Sequence, residues 1–346
     1  MHSIKDFKIK NNNLFLRVIS GAALFWIFGL YVAFAVLNNE LWVQQGSKNL
    51  SYVFGWLFII ASIAILAATF VELFNTFKLK KVWAKFFLII FGTLLYLMPL
   101  GDAAFLADGI FIYNFHKAAI IFFGNPFFQF AVFFTLIGAM FFVLKIINYK
   151  TLDALWIVFI GLVIVFGLKG FTTICLSVDY TDKNGYSAIN MGYITGVWIW
   201  IGIILTDTFA YFFGGKFGKH KMAPKISPKK SWEGAIGGFL SSTIILISLS
   251  VMLLLIKSDY NVFNVFVFAE ILSQSQIITL YVLFAVLISI TCQFGDLFFS
   301  FIKRKMGIKD FSNIIPGHGG ILDRLDSFMV VFSLMFFIIL IDSFIG

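Results

Sequence analysis

The chain has 346 residues, of which 60% are hydrophobic and only 12% charged, and its mean hydropathy is +0.97. A soluble domain carries about twice that share of charge, so composition excludes a soluble globular protein and implies a polytopic membrane protein. The net charge of +9 does not call for a nucleic-acid partner, because it is spread over short segments between apolar runs.

A membrane-crossing helix needs about 20 mostly apolar residues. Lys5, Lys8, Lys10 and Arg17 precede the first apolar run, in which Ala33-Phe-Ala35 has the form of a peptidase site. The run exceeds the usual signal core of about 7–15 residues, so it reads as an uncleaved anchor. Runs suited to spans follow at 14–37, 52–75, 84–100, 127–147, 152–173, 189–213, 235–256, 277–302 and 325–345. The expected fold is therefore all-α, a polytopic integral membrane protein of about nine transmembrane helices. Asp108, Asn114, His116 and Lys117 break the apolar segment 103–124, which is expected to re-enter or lie on the surface.

A cytoplasmic N-terminus places 1–17, 76–85, 145–151, 214–234 and 303–324 on the cytoplasmic side. These segments hold every Lys and Arg except Lys48, Lys117, Lys169, Lys183 and Lys257, as the positive-inside rule requires. Residues 1–190 are expected to form a lipid-facing scaffold, and 191–346 to carry the chemistry. Arg17 and Glu72, near cytoplasmic span ends, read as snorkelling side chains or as a mutual pair. Cys175 and Cys292 read as packing residues, with no disulfide or metal spacing.

Toward the C-terminus the apolar pattern is interrupted by polar groups in a specific order. Asp207 lies in Asp-Thr-Phe-Ala-Tyr211, near the end of its span. In the next loop, Ser227-Pro228 has the form of an N-cap followed by proline at the first helical position. Lys229 and Lys230 would then stand in the first helical turn, where they oppose the macrodipole and suit an anion; positive-inside anchoring is the alternative. Gly214, Gly215, Gly218, Gly234, Gly237 and Gly238 suit close helix packing.

Gln293, Asp296, Ser300 and Lys303 recur at three- and four-residue steps, so they share one face of the span 277–302. A carboxylate within a span is a functional candidate, because burying it unpaired is costly; a structural Asp–Lys pair is the alternative. Beyond it, Ser300–Ser327 crowds Lys303, Arg304, Lys305, Lys309, His318 and Arg324 against Asp310, Asp323 and Asp326, with Gly317, Gly319 and Gly320 between them. Glycines allow backbone N–H groups to approach a phosphate, and the following helix N-terminus favours anions. Asp323 and Asp326 lie one turn apart at that helix start, where capping is also open to them.

Ser300, Lys303-Arg304, Lys309-Asp310, Pro316-Gly-His-Gly-Gly320 and Asp323-Arg-Leu-Asp326 fall at the spacing of the phosphatidate cytidylyltransferase (CDP-diacylglycerol synthase) family, which this chain resembles. The likeness continues upstream through Asp207–Tyr211, Gly214-Gly215, Gly218-Lys-His220 and Ser227–Gly234, and so covers Asp207 to Ser327. It implies transfer of a cytidylyl group from CTP to phosphatidic acid, giving CDP-diacylglycerol and pyrophosphate in phospholipid biosynthesis.

The resemblance implies that Asp296 is a metal ligand. Asp323 is taken as the second principal ligand and Asp326 as a further one; oxygen donors beside phosphates suit Mg²⁺. A second, monovalent cation (K⁺) is implied by the resemblance alone. Lys303, Arg304, His318, Arg324 and Asp207 are expected in the catalytic set. Ser227, Lys229, Lys230, Lys309, Gly319 and Gly320 are expected to bind substrate. His318 is read as a phosphate contact rather than a base, since a phosphate monoester has its second pKa near 6 and is largely dianionic at neutral pH. A CTP-dependent lipid or polyprenol kinase is the alternative reaction, and a transporter or flippase the remaining class. The expected location is the inner (cytoplasmic) membrane, with the site facing the cytoplasm; the oligomeric state stays open, a homodimer being one alternative.

Overall fold

The computed structural model describes residues 2–43, 48–100, 125–181, 187–256, 262 and 273–345. Among these, the helices in chain order are α1 (His2–Val43), α2 (Lys48–Thr76), α3 (Val82–Leu97), α4 (Pro126–Ile146), α5 (Thr151–Cys175), α6 (Gly192–Phe217), α7 (Trp232–Ile256), α8 (Gln274–Lys305) and α9 (Leu322–Ile345). Eight contain stretches long and apolar enough to cross a membrane, and α3 is a shorter apolar helix. The protein is thus a polytopic, almost wholly helical membrane protein, as its apolar runs imply. At 1.5 Å per residue α3 is roughly 24 Å long, short of a hydrocarbon core of about 30 Å. The segment 103–124, with His116, lies outside the described residues.

Local signals explain several helix starts. Asn125 accepts from Phe127 N (2.9 Å) with Pro126 at the first turn, and Ser273 forms a capping box with Gln276. The helices then pack through small residues. A Cβ on Gly234 would stand 2.7 Å from Ala210 O, and one on Gly238 2.7 Å from Thr206 O, so α6 and α7 meet backbone to backbone. The same holds for α5 and α9, where a Cβ on Gly170 would lie 2.2 Å from Phe332 O.

The core is aromatic, with Tyr31 stacked on Phe58 at 4.2 Å and Phe171 tilted against both. Buried hydroxyls link four helices through it: Tyr31 to Ser62 (2.6 Å), Ser62 to Thr172 (3.4 Å) and Thr172 to Tyr96 (2.8 Å). Lys169 is buried and donates to the carbonyls of Tyr96 (2.8 Å) and Met98, satisfying acceptors at the end of α3. Cys175 and Cys292 are buried free thiols.

Two short antiparallel hairpins qualify the all-α expectation. β1 (Val178–Thr181) pairs with β2 (Ser187–Met191), so α6 begins at Gly192 and not at 189. β3 (Lys221–Ala223) pairs with β4 (Ser227–Ser231) ahead of α7. This second hairpin overturns the helix start read at Ser227-Pro228. The cap is Ser231, whose Oγ accepts from Gly234 N at 3.2 Å, and α7 begins at Trp232. Ser227 is instead paired with Ala223, and Lys229 and Lys230 are strand residues. Pro228 has no N–H to give, which a two-stranded hairpin tolerates because each strand is an edge.

Candidate active site

Four pieces of chain meet at one end of the bundle: the C-terminal part of α8, the β3–β4 hairpin, the loop 306–321 and the first turns of α9. On α8, Ser300 Oγ donates to Asp296 Oδ1 (3.3 Å), and Lys230 from β4 pairs with Asp296 Oδ2 (2.7 Å). One turn further along, Lys303 is buried and pairs with Asp323 Oδ1 at 2.8 Å, with Asp326 Oδ2 at 3.8 Å and the Phe311 ring 5.4 Å from its ammonium. The polar stripe read on α8 is therefore real, and its two charged members take partners from different elements. Gln293 points to α7 and donates to Ala235 O (3.0 Å).

Asp207 and Asp296 lie deeper than expected. Helices α6 and α8 continue to Phe217 and Lys305, so both carboxylates stand back from the helix ends by roughly 14–15 Å at 1.5 Å per residue. Apolar span limits underestimated the helices because glycines and Lys216 end the apolar run of α6, and Lys303–Lys305 that of α8, while the backbone stays helical. Asp207 is exposed on the protein surface, accepts from Cys292 Sγ at 3.5 Å and feels the charge of Asp296, as does Asp326.

The glycine-rich loop has a defined shape. Gly307, at φ +71°, ends α8 in the left-handed conformation. Ile315, Pro316, Gly317 and His318 then form a tight turn closed by His318 N donating to Ile315 O (2.9 Å), with Gly317 at φ +75°. Proline at the second place and a positive φ at the third are the requirements of a type II turn. The turn lifts His318 onto a cavity of about 310 Å³ lined by Lys309, Asp310, Asn313, His318, Arg324 and the backbone of Gly317 and Gly319.

Both guanidinium groups brace backbone. Arg324 donates through Nε (3.0 Å) and Nη2 (2.7 Å) to His318 O. Arg304 donates to Ile226 O (3.1 Å) and Ile308 O (3.0 Å), joining the hairpin to the loop. Each uses two of its five N–H groups this way. Of the other expected residues, Lys229 is exposed while Lys230 is half-buried, because successive strand residues face opposite ways. Ser227 is half-buried in β4, outside the acidic cluster's hydrogen bonds. Lys309 and Gly319 border the cavity, and Gly320 lies just behind it.

Three side chains that hold this site were not read as members of it: Glu72 was read as snorkelling or paired with Arg17, Glu233 only as an interfacial anchor within the matched motif, and Ser20 was given no role. Glu72, on α2, is 1% exposed and accepts from Ser312 Oγ (2.6 Å), Ile321 N (2.9 Å) and Leu322 N (2.8 Å). It does not snorkel: its carboxylate is turned into the protein, where loop donors replace water. Ser20, on α1, donates to Pro316 O (2.9 Å) and so accepts from His318 Nδ1 (2.8 Å). Glu233 accepts from Lys219 N (3.1 Å), His220 N (3.2 Å) and His220 Nδ1 (2.5 Å), fixing the entry to the hairpin. Helices of the N-terminal half thus reach the glycine-rich loop. No local pattern marks Glu72 or Ser20, since their partners lie between 240 and 298 residues away.

The donor set can be tested against a hard divalent cation. Asp207, Asp296, Asp323 and Asp326 are served by two ammonium groups, Lys230 and Lys303, so the cluster keeps excess negative charge and offers only oxygen. Asp323 is the most occupied, with Oδ1 on Lys303 and Oδ2 accepting from Phe311 N (2.7 Å) and Gly320 N (2.9 Å). A carboxylate has about four lone-pair sites, which leaves it one. Among the described residues no three His, Cys, Asp or Glu side chains form a ready-made cage. The arrangement fits an open cation site completed by substrate oxygens rather than a closed structural one.

The profile of the cytidylyltransferase family matches residues 13–342, well beyond the stretch that carries the motifs. Proteins named phosphatidate cytidylyltransferase from Staphylococcus haemolyticus, Staphylococcus saprophyticus and Rickettsia bellii are similar to it. They are 45%, 41% and 42% identical over 131, 131 and 132 residues, in each case 38% of this chain. The matched stretch spans 43% of the length of the two staphylococcal proteins and 52% of the rickettsial one. The chain belongs to the cytidylyltransferase family.

Proposed function

We propose that the protein transfers the cytidylyl group of CTP to phosphatidic acid, forming CDP-diacylglycerol and pyrophosphate. The observation that carries this reading is the placement of an acidic, oxygen-only cluster beside a polar cavity lined by Lys309, His318 and Arg324 at one end of an apolar bundle. A phosphate oxygen of phosphatidic acid attacks the α-phosphorus of CTP in line; that P–O bond forms as the α–β bridging P–O bond breaks, and pyrophosphate leaves with the electron pair. The attacking phosphate is largely dianionic at neutral pH and needs no base.

Catalysis then rests on position and charge. Asp296 and Asp323 would hold Mg²⁺, with Asp326 as a further ligand and Asp207 nearby, and K⁺ is the proposed second cation. When bound, the divalent ion supplies Lewis-acid neutralisation of phosphate oxygens. Lys230 and Lys303 place ammonium groups around those carboxylates. His318 keeps Nδ1 on Ser20, which fixes its ring over the cavity as a phosphate contact. Arg324 holds the His318 carbonyl and presents its remaining N–H groups to the same space. The basic loops support a cytoplasmic orientation for this face, with the protein in the cell membrane.

The test is incubation of the purified protein in detergent with phosphatidic acid, CTP labelled in the cytosine ring, and Mg²⁺. Ring label is expected in the lipid, and is lost in Asp296→Asn and on chelation. Release of CDP without ring label in lipid would replace this reading by a CTP-dependent lipid kinase. Absence of both products would remove the enzyme reading.

A further inference from the structure

We infer that Glu72 is a positioning residue: from the N-terminal half of the chain, it sets the conformation in which the 312–322 loop meets the nucleotide. The inference rests on the reaction proposed above for its kinetic consequence, but not for its geometry.

The carboxylate is 1% exposed, and all three of its donors belong to one segment, Ser312, Ile321 and Leu322. Burial of a carboxylate is tolerated where N–H and O–H donors replace its water. Two of these donors are the N–H groups at the start of α9, which have no partner within their own helix. Helix starts also favour negative charge. Such a cap is ordinarily supplied by the residue just before the helix. Here the nearby acid, Asp323, reaches back to Gly320 N and Phe311 N, and the cap comes from α2. The two carboxylates together take the N–H groups of Gly320, Ile321 and Leu322 in succession.

Gly320 gives independent support. A Cβ there would stand 2.7 and 2.8 Å from the two carboxylate oxygens of Glu72. The second glycine of the pair is therefore the residue that lets α2 and the loop meet. Glu72 also sits on a rigid support, because Phe70, Leu73 and Phe74 around it are fully buried. A carboxylate fixed this way holds the loop downstream of His318, while Ser20 holds it at the turn.

The experiment compares wild type with Glu72→Gln, which keeps the shape but sets an amide NH₂ against backbone N–H groups. Glu40→Gln, on the distant end of α1, serves as a control. Amide hydrogen exchange at Ile321 and Leu322, measured without substrate, is expected to accelerate roughly tenfold or more in Glu72→Gln, the scale of one charge-assisted hydrogen bond. In the same variant kcat/KM for CTP should fall about tenfold, with KM for phosphatidic acid changed less than about twofold and the melting temperature within about 2 °C. Unchanged exchange at Ile321 and Leu322, or an unchanged kcat/KM for CTP, overturns the inference. If Glu72→Gln does not fold, Ser312→Ala removes one donor and leaves the carboxylate on two N–H groups. It should raise KM for CTP by roughly threefold to fivefold, and an unchanged KM reduces Glu72 to a structural residue. Wild type that puts no ring label into lipid defeats the reaction assignment, whereas the exchange measurement still decides the role of Glu72.

Discussion

Lys303→Met removes the cation between Asp323 and Asp326 with little change of side-chain length. The ammonium lies 2.8 Å from one carboxylate and 3.8 Å from the other, and the three side chains are 10%, 6% and 14% exposed in the order Lys303, Asp323, Asp326. Without it, two largely buried carboxylates face each other with Asp296 beyond. Removing one partner of a buried ion pair costs about 3–5 kcal/mol, because the remaining charge has lost its counter-charge and not regained water. At roughly 2 °C per kcal/mol for a chain of this size, the apparent melting temperature in detergent should fall by about 6–10 °C. Adding Asp323→Asn to the same chain removes one of the stranded charges and should recover about half of that loss. Tryptophan fluorescence melts of the two variants and wild type, at neutral pH and fixed detergent, give the comparison. A single variant within about 2 °C of wild type, or a double variant no more stable than the single, would refute the idea that Lys303 balances these carboxylates.

Lys230→Gln should lower kcat by about a hundredfold, the scale for losing one preorganised electrostatic group, whereas exposed Lys229→Gln should change it less than about threefold; equal losses in steady-state assays would return both lysines to one role. Ser20→Ala, which leaves His318 Nδ1 and Pro316 O without their shared hydroxyl, should raise KM for CTP about fivefold, near 1 kcal/mol, with kcat little changed. Ser231→Ala removes the cap of α7 and should cost about 1 kcal/mol, or roughly 2 °C of melting temperature; Ser227→Ala should not, and a larger effect there would restore the cap to Ser227.

Among the described residues, the eight span-length helices were legible because a run of about 20 apolar residues has few other uses, whereas α3, read as a span at 84–100, is only 16 residues long. The stripe on α8 was legible because its spacing is helical. Gly317, Gly319 and Gly320 marked a loop, while the turn at Pro316-Gly317 emerged only in the structure. Other features were hidden for physical reasons. Ser227-Pro228 fits a helix start and a strand equally well, and a five-residue strand is too short for alternation to decide between them. Glu72 has the local signature of any acid near a span end; only the fold shows that its partners arrive some 240 residues later. The depth of Asp207 was misjudged because hydropathy marks where a helix stops being apolar, not where it stops being a helix.

That depth has an energetic meaning for a lipid substrate. If the acidic cluster stood at the tips of α6 and α8, a diacyl lipid would have to be drawn outward to reach it. Withdrawing three methylenes from each of two chains would expose six CH₂ groups, about 5 kcal/mol at 0.8 kcal/mol each. Under the proposed reaction, Asp207 and Asp296, set back by about three helical turns from the helix ends, would let the lipid reactant stay nearer its own level. The water-soluble nucleotide, already hydrated and mobile, would then make the journey.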